Sequence, residues 1–543
     1  MNQDNSNKSK RNIPSYFNNT WVILAVICTI GFLLRVIWIQ HELPLTMDSS
    51  GYFWYAIDTS ITGSFPNSEC GWRCTFPNTG WSSFVSVFFM IFSFDNYIDY
   101  MNLQKYLGVI MSVITIIPMY YLSKVFIEKK YAIIATILFA FNPRIIENSI
   151  SGNPEPMYIF AIVLMLYTFF QHGKNYPYIT FGIIGIISTI RYEGVLLFIP
   201  ISLLYFYRYK FSKKIILKYF IAITVFLLII ISWGMMKIDL TGSDGIISHV
   251  SAGPTYYSTI IDGTEDPNEA IISFLKTGIT NMIKFLGLAT LPLLTFLIPL
   301  GIYTMISKGK LSNFLILFSI VLVLLIPAFY AYSRNFQEVK YLLVIFPIFC
   351  IFSSFFIRNI TEKMKHKKSF LILFTGIIIA STIGFIEYKN LDDVNKNEVY
   401  EFSKVVYSTA SITNYFSHAE YLDSMKTEFI EEFPILRKDL PVGIPILYTD
   451  RSMVVHGQVF PNIQYDDVEE FIEKHRINGL THIIVDKEDS RTDIFDDIFL
   501  NEEKYTYLTK IFDTFDNGYK DYHAKIFVID YNEFYKLKGI MGS

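Results

Sequence analysis

The sequence predicts a polytopic α-helical membrane protein with about 11 transmembrane helices, followed by a soluble α/β domain at the C-terminal end. Long apolar runs fill the first 387 residues, and Lys and Arg gather in alternate loops between those runs. Only 17% of all residues are charged, whereas a soluble protein carries about a quarter. We therefore divide the chain into a transmembrane domain, residues 1–387, and an extracytoplasmic domain, residues 388–543.

The spacing of the apolar runs predicts where the chain crosses the membrane. The predicted spans are 21–39, 103–122, 131–143, 156–170, 178–190, 194–207, 215–236, 279–306, 313–330, 341–357 and 370–386. Several are shorter than the roughly 20 residues that a bilayer core requires. We keep these short spans because the basic loops at 129–130, 174 and 208–218 are all predicted to be cytoplasmic. The chain must then cross the membrane an even number of times between one of these loops and the next. The apolar segment 83–94 is too short to span and predicts an interfacial helix.

Charge predicts the orientation of these spans. The loops that share a side with the N-terminus hold most of the Lys and Arg, which marks a cytoplasmic face. The opposite loops hold the carboxylates Asp48, Glu147, Glu155, Glu193 and Glu338. We expect a multi-pass protein of the cell membrane, with a cytoplasmic N-terminus and the C-terminal domain outside.

The C-terminal domain has an α/β pattern. Residues 444–448 and 482–486 read as short strands, and 466–475 has helical spacing with an Asp ahead of it. Residues 505–512 read as a helix or a strand, and 524–530 as a closing strand. The domain holds 29 acidic and 17 basic residues, a net charge of −12, while residues 1–387 carry +9. Nucleic-acid binding needs clustered positive charge, so this acidity excludes it here.

The four cysteines carry little information. Cys28 and Cys350 fall inside apolar runs and read as inert core thiols. Cys70 and Cys74 lie in an outer loop, where they either form a small disulfide or stay free.

Two carboxylates of the outer loops are candidate catalytic residues. Asp48 precedes an aromatic segment, so it could take a proton from an acceptor hydroxyl, or it could cap a helix at 49–58. Glu155 stands between Pro154 and Pro156 at a helix start, where it could instead complement the helix dipole.

Basic residues on the same face are candidate ligands of a lipid phosphate. They are Arg35, Arg144, Arg191, Arg334 and Lys340. Each has a plainer alternative: Arg35 could snorkel, Arg144 could pair with Glu147, and Arg191 could pair with Glu193. Their convergence on one face favours an anionic lipid headgroup.

These segments resemble the GT-C membrane glycosyltransferases. The first outer loop, with Arg35, Asp48 and residues 81–94, carries the likeness, together with Pro-Glu-Pro at 154–156, Thr-Ile-Arg-Tyr-Glu-Gly at 189–194 and Glu-Val-Lys-Tyr-Leu-Leu at 338–343. The chain is most similar to the protein O-mannosyltransferase and aminoarabinose-transferase group, and the likeness spans residues 21–350. Oligosaccharyltransferases, which are more distant relatives, have a Trp-Trp-Asp motif that does not occur here.

The resemblance implies specific roles. Asp48 would be the acceptor-activating base or part of a metal site, and Glu155 would help to bind substrate or metal. Arg191, Arg334 and Lys340 would hold the donor phosphate. The sequence departs from the group at Ser49, where a second carboxylate is common, and at Lys340, where Arg is common.

The predicted function is inverting transfer of a sugar from a polyprenyl-phosphate donor to an acceptor hydroxyl at the outer face. The acceptor could be a protein, a lipid or a glycan. No cofactor is required by the sequence, although a divalent cation could be held by Asp48, Glu155 and Glu147. The alternatives are a lipid or glycan flippase, which would place charges along a path through the membrane, and a structural scaffold of envelope assembly.

Overall fold

The structure is a computed structural model of the 543-residue chain. It describes residues 20–45, 47–65, 78–94, 97–171, 173, 175–251, 267–291, 293–308, 310–336, 338–392, 397–398, 401–402, 405, 415–417, 454–455, 458–459, 467–476, 480–486 and 494–539. The predicted strand 444–448, Lys174 and the pair Cys70 and Cys74 lie outside the described residues.

The described residues form two compact units. The first is drawn from Met1–Ile39, Lys105–Ile238 and Ser243–Phe385. The second is drawn from Gln40–Gln104, Asp239–Gly242 and Ile386–Ser543. The first outer loop therefore groups with the C-terminal residues, whereas the sequence predicts it as part of the transmembrane domain.

Helices dominate the chain up to residue 392. In order they are α1 Thr20–Ile37, α2 Met47–Thr62, α3 Thr79–Ile91, α4 Tyr97–Ile114, α5 Ile116–Phe126, α6 Lys129–Ala140, α7 Pro143–Ser149, α8 Glu155–Phe170, α9 Tyr176–Ile190, α10 Phe198–Tyr209, α11 Lys213–Thr241, α12 Pro267–Thr290, α13 Leu294–Ser307, α14 Leu311–Ser333, α15 Phe346–Lys363 and α16 Lys367–Asp392. Two 3-10 helices interrupt the series: the first is Tyr192–Leu197 and the second is Val339–Ile345.

Seven helical segments in the described residues are long and apolar enough to cross a membrane. Shorter apolar helices, among them α8 and α9, accompany them. The predicted span 279–306 is wrong as a single helix, because α12 ends at Thr290 and α13 begins at Leu294. Pro292 stands in the sequence between them, and proline cannot continue a helix without losing a hydrogen bond. The total of 11 crossings stays a prediction.

Close helix packing in the first unit depends on glycine. A Cβ at Gly301, on α13, would lie 2.0 Å from the Phe352 carbonyl oxygen on α15. A Cβ at Gly108, on α4, would lie 2.7 Å from the Ser149 carbonyl oxygen at the end of α7. Only residues without a side chain let these backbones approach so closely.

In the second unit, α2 and α3 pack through aromatic rings. The Phe53 and Phe89 rings are 5.6 Å apart at 66°, and the Ser82 hydroxyl donates to the Tyr52 carbonyl. The helix predicted at 83–94 is present as α3, beginning four residues earlier.

The C-terminal residues of the second unit form a mixed α/β fold. Its strands are β1 Tyr415–Ser417, β2 Val454–Val455, β3 Gln458–Val459, β4 His482–Asp486, β5 Leu508–Asp513 and β6 Ala524–Ile529, and its helices are α17 Val468–Arg476, α18 Ile494–Leu500 and α19 Tyr531–Leu537. The sheet order is β3-β2-β1-β4-β6-β5, and only β1 with β4 is parallel among its pairs in the described residues. The predicted strand 482–486 and the helix within 466–475 are confirmed. The segment 505–512, read from the sequence as either a helix or a strand, contributes strand β5.

Candidate functional site

Glu155 is placed by a turn rich in proline between α7 and α8. Asn142 caps α7 by accepting from the backbone N–H groups of Arg144 and Ile145. The chain then turns through Pro154, which is the N-cap of α8, so that Glu155 is the first residue of this helix. Only 4% of Glu155 is exposed. A buried carboxylate at a helix N-terminus gains from the dipole, but it also needs a cationic partner.

Arg191 is placed by the break between α9 and the first 3-10 helix. Its extended backbone ends α9, and its carbonyl accepts from the N–H of Gly194 at 2.9 Å. A Cβ at position 194 would lie 2.5 Å from Cγ2 of Ile187, so this turn requires glycine. Because α8 and α9 are antiparallel neighbours in a hairpin, the end of α9 returns to the start of α8.

Arg191 bridges two carboxylates. Its Nη1 lies 2.5 Å from Glu155 Oε1, and its Nη2 lies 3.0 Å from Glu193 Oε1. Its Nε also donates to Glu193 Oε2 at 3.4 Å. All three side chains are at most 12% exposed. We call these three residues the charged triad, and its net charge is −1 with the carboxylates ionised.

The second 3-10 helix places Lys340 beside the charged triad. The Nζ of Lys340 lies 2.5 Å from Glu338 Oε2, and this glutamate side chain is 39% exposed. The hydroxyl of Tyr332, at the end of α14, donates to the Glu338 carbonyl and so anchors the segment. The Lys340 ammonium also lies 5.7 Å from the Tyr341 ring centroid.

The charged triad and Lys340 line one cavity of the first unit. The cavity has an empty volume of about 370 Å³, part of which is open to the surroundings. Its polar lining comes from Glu155, Arg191, Glu193, Lys340, Tyr158 and Tyr341. Its apolar lining comes from Ile159, Leu324, Pro327, Ala328 and Val344. A cavity that mixes a few charged groups with apolar and aromatic walls has the character of a ligand site.

One carboxylate oxygen of Glu155, a residue of the cavity lining, is left without a hydrogen bond from any residue that the structure describes. Oε2 of Glu155 is buried and has no hydrogen-bond partner among the described residues. A buried acceptor without a partner is costly, because it has lost its hydration and gained nothing. A hydroxyl or ammonium group of a ligand would satisfy it.

The remaining predicted residues do not line this cavity. Arg144 pairs with Glu147 at 3.0 Å and lies over the Phe385 ring. Arg334 lies over the rings of Tyr330 and Phe336, 5.6 and 5.2 Å from their centroids.

Arg35 is fully buried and joins three helices. Its Nε donates to the Ser112 hydroxyl, and its Nη1 donates to the carbonyls of Gly31 and Ala140. Asp48 belongs to the second unit, where it is the second residue of α2 and is exposed. Because α2 begins at Met47, Asp48 lies inside the first turn of the helix and does not precede it as a cap would.

The described residues contain no group of three or more His, Cys, Asp or Glu side chains arranged to hold a metal ion. Of the three carboxylates predicted as possible ligands, Glu155 and Glu147 are each bound to an arginine. These two carboxylates therefore do not fit a metal site as they stand, and we derive no chemical step through a metal.

Sequence reasoning missed two aromatic residues of the cavity. Tyr158 lies one helical turn after Glu155, and the Arg191 guanidinium is 5.8 Å from its ring centroid. Tyr341 directly follows Lys340. Tyr158 had a usable signal, because residues three or four apart share one helix face, whereas Tyr341 had no such signal in the sequence.

The chain matches no protein-family model and no curated protein, but solved structures resemble its fold. The archaeal oligosaccharyltransferase AglB of Archaeoglobus fulgidus, in complex with an inhibitory peptide and a dolichol-phosphate, matches 87% of this chain and 70% of its own, with 14% identity and a TM-score of 0.52. An A. fulgidus oligosaccharyltransferase with Zn and sulfate has 17% identity and a TM-score of 0.49, over 82% of this chain. This chain spans only 59% of that protein's length.

ArnT from Cupriavidus metallidurans, bound to undecaprenyl phosphate, matches 94% of this chain and 97% of its own, with 9% identity and a TM-score of 0.33. At such identities a likeness shows the fold alone. The chain has a GT-C-like fold. It shares this fold with AglB at a TM-score above 0.5, although the Trp-Trp-Asp motif of oligosaccharyltransferases does not occur in its sequence.

Proposed function

We propose that this protein is a membrane glycosyltransferase that moves a sugar from a polyprenyl-phosphate donor to an acceptor hydroxyl at the outer face of the membrane. The observation that carries the proposal is the convergence of Glu155, Arg191 and Lys340 on one cavity. These residues lie in three separate segments of the chain, and the sequence alone marks each of them as a candidate. Fold likeness supports the class of protein, and this cavity supports the chemistry.

The charge balance of the cavity supports Lys340 as the residue that binds the donor phosphate. Arg191 is already neutralised by Glu155 and Glu193, which are both nearly buried. Lys340 pairs with Glu338, whose carboxylate is 39% exposed. The Lys340 side chain is only 14% exposed, but water competes for its exposed partner, so this ion pair is easier to exchange than one with two buried carboxylates. A lipid phosphate can therefore replace Glu338 at Lys340 at lower cost than it can displace either carboxylate from Arg191.

Glu155 is proposed to bind the sugar of the donor. Its second carboxylate oxygen is buried at the cavity and accepts from no described residue. A sugar hydroxyl would supply the missing donor, and the Tyr158 and Tyr341 rings in the cavity wall offer flat apolar surfaces to a pyranose. A donor whose sugar lacks this hydroxyl should bind more weakly, because it would leave the Glu155 carboxylate oxygen buried without a partner.

The reaction is a single displacement at the anomeric carbon. The acceptor oxygen forms a bond to that carbon while the bond from the carbon to the phosphate oxygen breaks, and the configuration inverts. The family resemblance implies Asp48 as the base that takes the proton of the acceptor hydroxyl, and we keep this role as a prediction from the sequence. The electron pair of the broken bond leaves on polyprenyl phosphate, whose negative charge Lys340 neutralises.

Transfer in proteoliposomes tests the proposal. The purified full-length chain is supplied with polyprenyl-phosphate hexoses, and release of polyprenyl phosphate is followed together with labelling of acceptors. We expect release with the wild-type chain, a loss of at least about 100-fold in Asp48→Asn, and near-normal release in Arg358→Ala. Arg358 is a matched control, because it pairs with Glu128 and Glu362 near the far end of α15.

Of two contrary outcomes, the first would overturn the proposed function and the second only the role of Asp48. Movement of the labelled donor across the bilayer without cleavage of its sugar–phosphate bond would identify a flippase. Wild-type turnover in Asp48→Asn would remove the base assignment.

A further inference from the structure

After α11 the chain makes a turn and then a helical stretch, residues 247–251, which carries His249 beside the charged triad. The ring of His249 faces the ring of Tyr192, with the centroids 5.6 Å apart and the planes at 45°. Tyr192 is the residue between Arg191 and Glu193, so His249 packs directly on the segment that forms the triad. Nδ1 of His249 is buried and has no hydrogen-bond partner among the described residues. Either nitrogen of an imidazole can carry a proton, and no hydrogen bond to a described residue occupies Nδ1 of His249.

The turn holds His249 in place through a network of its own. The Asp244 carboxylate accepts from the backbone N–H groups of Ile246 and Ser248 and from the Ser248 hydroxyl, at 2.7 to 3.0 Å. Beneath the turn lies Lys237 of α11, which is only 1% exposed. A Cβ at Gly245 would come within 2.5 Å of its Nζ, and Gly245 has a φ of +68° that favours glycine. The position of His249 is therefore set by the fold of this turn.

Burial and the charged groups around His249 change the pKa of its imidazole. Burial and then the positive charge of Lys237 lower the pKa of His249, while Asp244 and Glu193 act in the opposite direction. The imidazole is consequently neutral at neutral pH and gains a proton below the ordinary histidine pKa of about 6.5.

We propose that His249 is a positioning residue for the charged triad: once protonated, it competes with Arg191 for Glu193 and frees guanidinium N–H groups to bind an anion in the cavity. The proposal rests on the proposed function only in naming that anion as the donor phosphate. Arg191 donates two hydrogen bonds to Glu193, through Nη2 and Nε. Protonation of His249 would raise the net charge of the triad and His249 together from −1 to 0, and the weakened bonds would leave guanidinium N–H groups for an anion.

Binding of a phosphodiester that carries no sugar tests this inference separately from glycosyl transfer. A suitable probe is farnesyl methyl phosphate, whose single negative charge does not titrate near neutral pH. Its affinity for the full-length chain in nanodiscs is measured at about pH 8 and at about pH 5, well below the ordinary histidine pKa of about 6.5, because the pKa of His249 is lowered. We expect the wild-type chain to bind roughly 10-fold more tightly at the lower pH, a change that corresponds to about 1.4 kcal/mol.

Three variants complete the test. His249→Asn should bind with the same weak affinity at both pH values, while Glu193→Gln should bind tightly at both, because Arg191 is then freed at every pH. His366→Asn, a change at an exposed histidine of the loop before α16, should keep the wild-type pH dependence. A pH dependence that survives in His249→Asn, or its absence in the wild-type chain, would overturn the inference. Glycosyl transfer without any such pH dependence would leave the proposed function intact and remove only the role of His249.

Discussion

Arg191 Nη1 lies 2.5 Å from Glu155 Oε1, although the two residues are 36 positions apart in the chain. This ion pair joins the end of α9 to the start of α8, and Glu193 completes it from the other side. The pair is buried in a part of the chain that is otherwise apolar, where an isolated charge would be very costly. The fold therefore depends on the same residues that we propose for the site.

Removal of the Glu155 carboxylate should destabilise the protein. Glu155→Ala leaves Arg191 with one of its two carboxylates, Glu193, so we expect a loss of roughly 1–3 kcal/mol, below the about 3–5 kcal/mol of a fully broken buried pair. Thermal unfolding of the purified protein in detergent would measure it. Arg191→Gln should destabilise more than Glu155→Ala, because it leaves the Glu155 and Glu193 carboxylates without their cation, and the double variant Glu155→Gln with Arg191→Gln should lose less than the sum of its two single variants. Independent, additive losses in the two single variants would contradict the coupling of these residues.

Substitution of Lys340 should weaken the binding of a lipid phosphate. We expect Lys340→Ala to reduce the affinity for polyprenyl phosphate about 10-fold, because a charge-assisted contact of about 1.5 kcal/mol is lost. Lys340→Arg should bind at least as well as the wild-type chain, since a guanidinium offers two donors to one phosphate. Native mass spectrometry or calorimetry in nanodiscs would compare these variants with Arg358→Ala. Equal affinities in Lys340→Ala and Arg358→Ala would remove Lys340 from the phosphate site.

A methyl group at Gly301 should disrupt the contact between α13 and α15. The new Cβ would meet the Phe352 carbonyl oxygen at 2.0 Å, and this backbone atom cannot move independently of its helix. We expect Gly301→Ala to lower the unfolding temperature strongly or to reduce the yield of folded protein. Gly376→Ala, on α16, is the matched control, because a Cβ there has no heavy atom within 4 Å. That change should be neutral or slightly stabilising, since alanine favours the helix, and a similar loss in both variants would refute the packing argument.

The C-terminal domain should lose stability at acidic pH through Glu398. Its carboxylate accepts from the backbone N–H groups of Lys520, Asp521 and Tyr522 at 2.7 to 2.9 Å. Burial acts to raise the pKa of Glu398, but these three hydrogen bonds outweigh it and hold the pKa below its ordinary value. A lowered folded-state pKa gives stability that is complete above about pH 4.5 and is lost as the pH falls through the folded pKa.

Hydrogen exchange of the 520–522 amides in the full-length chain would measure this effect. Protection should fall on acidification in the wild-type chain, and Glu398→Gln should show weaker protection at neutral pH with a smaller acid dependence. Glu533→Gln alters a partly exposed glutamate of the same domain that pairs with Lys536, and it should behave as the wild-type chain. Identical acid profiles for Glu398→Gln and the wild-type chain would exclude Glu398 as the cause.

Hydrophobic pattern and charge were enough to predict the helical membrane architecture. Long apolar runs require backbone hydrogen bonds to be satisfied within each segment, so they form helices wherever water is excluded. The same local logic correctly predicted the strand 482–486 and the helix that precedes it. It failed for 279–306, where the apolar run was read as one helix although α12 ends at Thr290 and α13 begins at Leu294.

The candidate site could be predicted only as a set of residues. Glu155, Arg191 and Lys340 stand out in the sequence because charged groups beside apolar helices need a reason to be there. Their partnership could not be predicted, since Arg191 was as easily a phosphate ligand as an ion-pair partner. The position of Arg35 was also beyond the sequence, because its neighbours Ser112 and Ala140 come from helices distant in the chain.

The sequence by itself determined that this chain is a bundle of apolar helices with carboxylates and cations at the ends of those helices, because local hydrophobicity and charge decide what water and lipid tolerate. Tertiary structure alone decided that Arg191 is held between Glu155 and Glu193 and that Lys340 lines the same cavity. Distances between segments arise from packing among all the helices at once, and no local pattern encodes them.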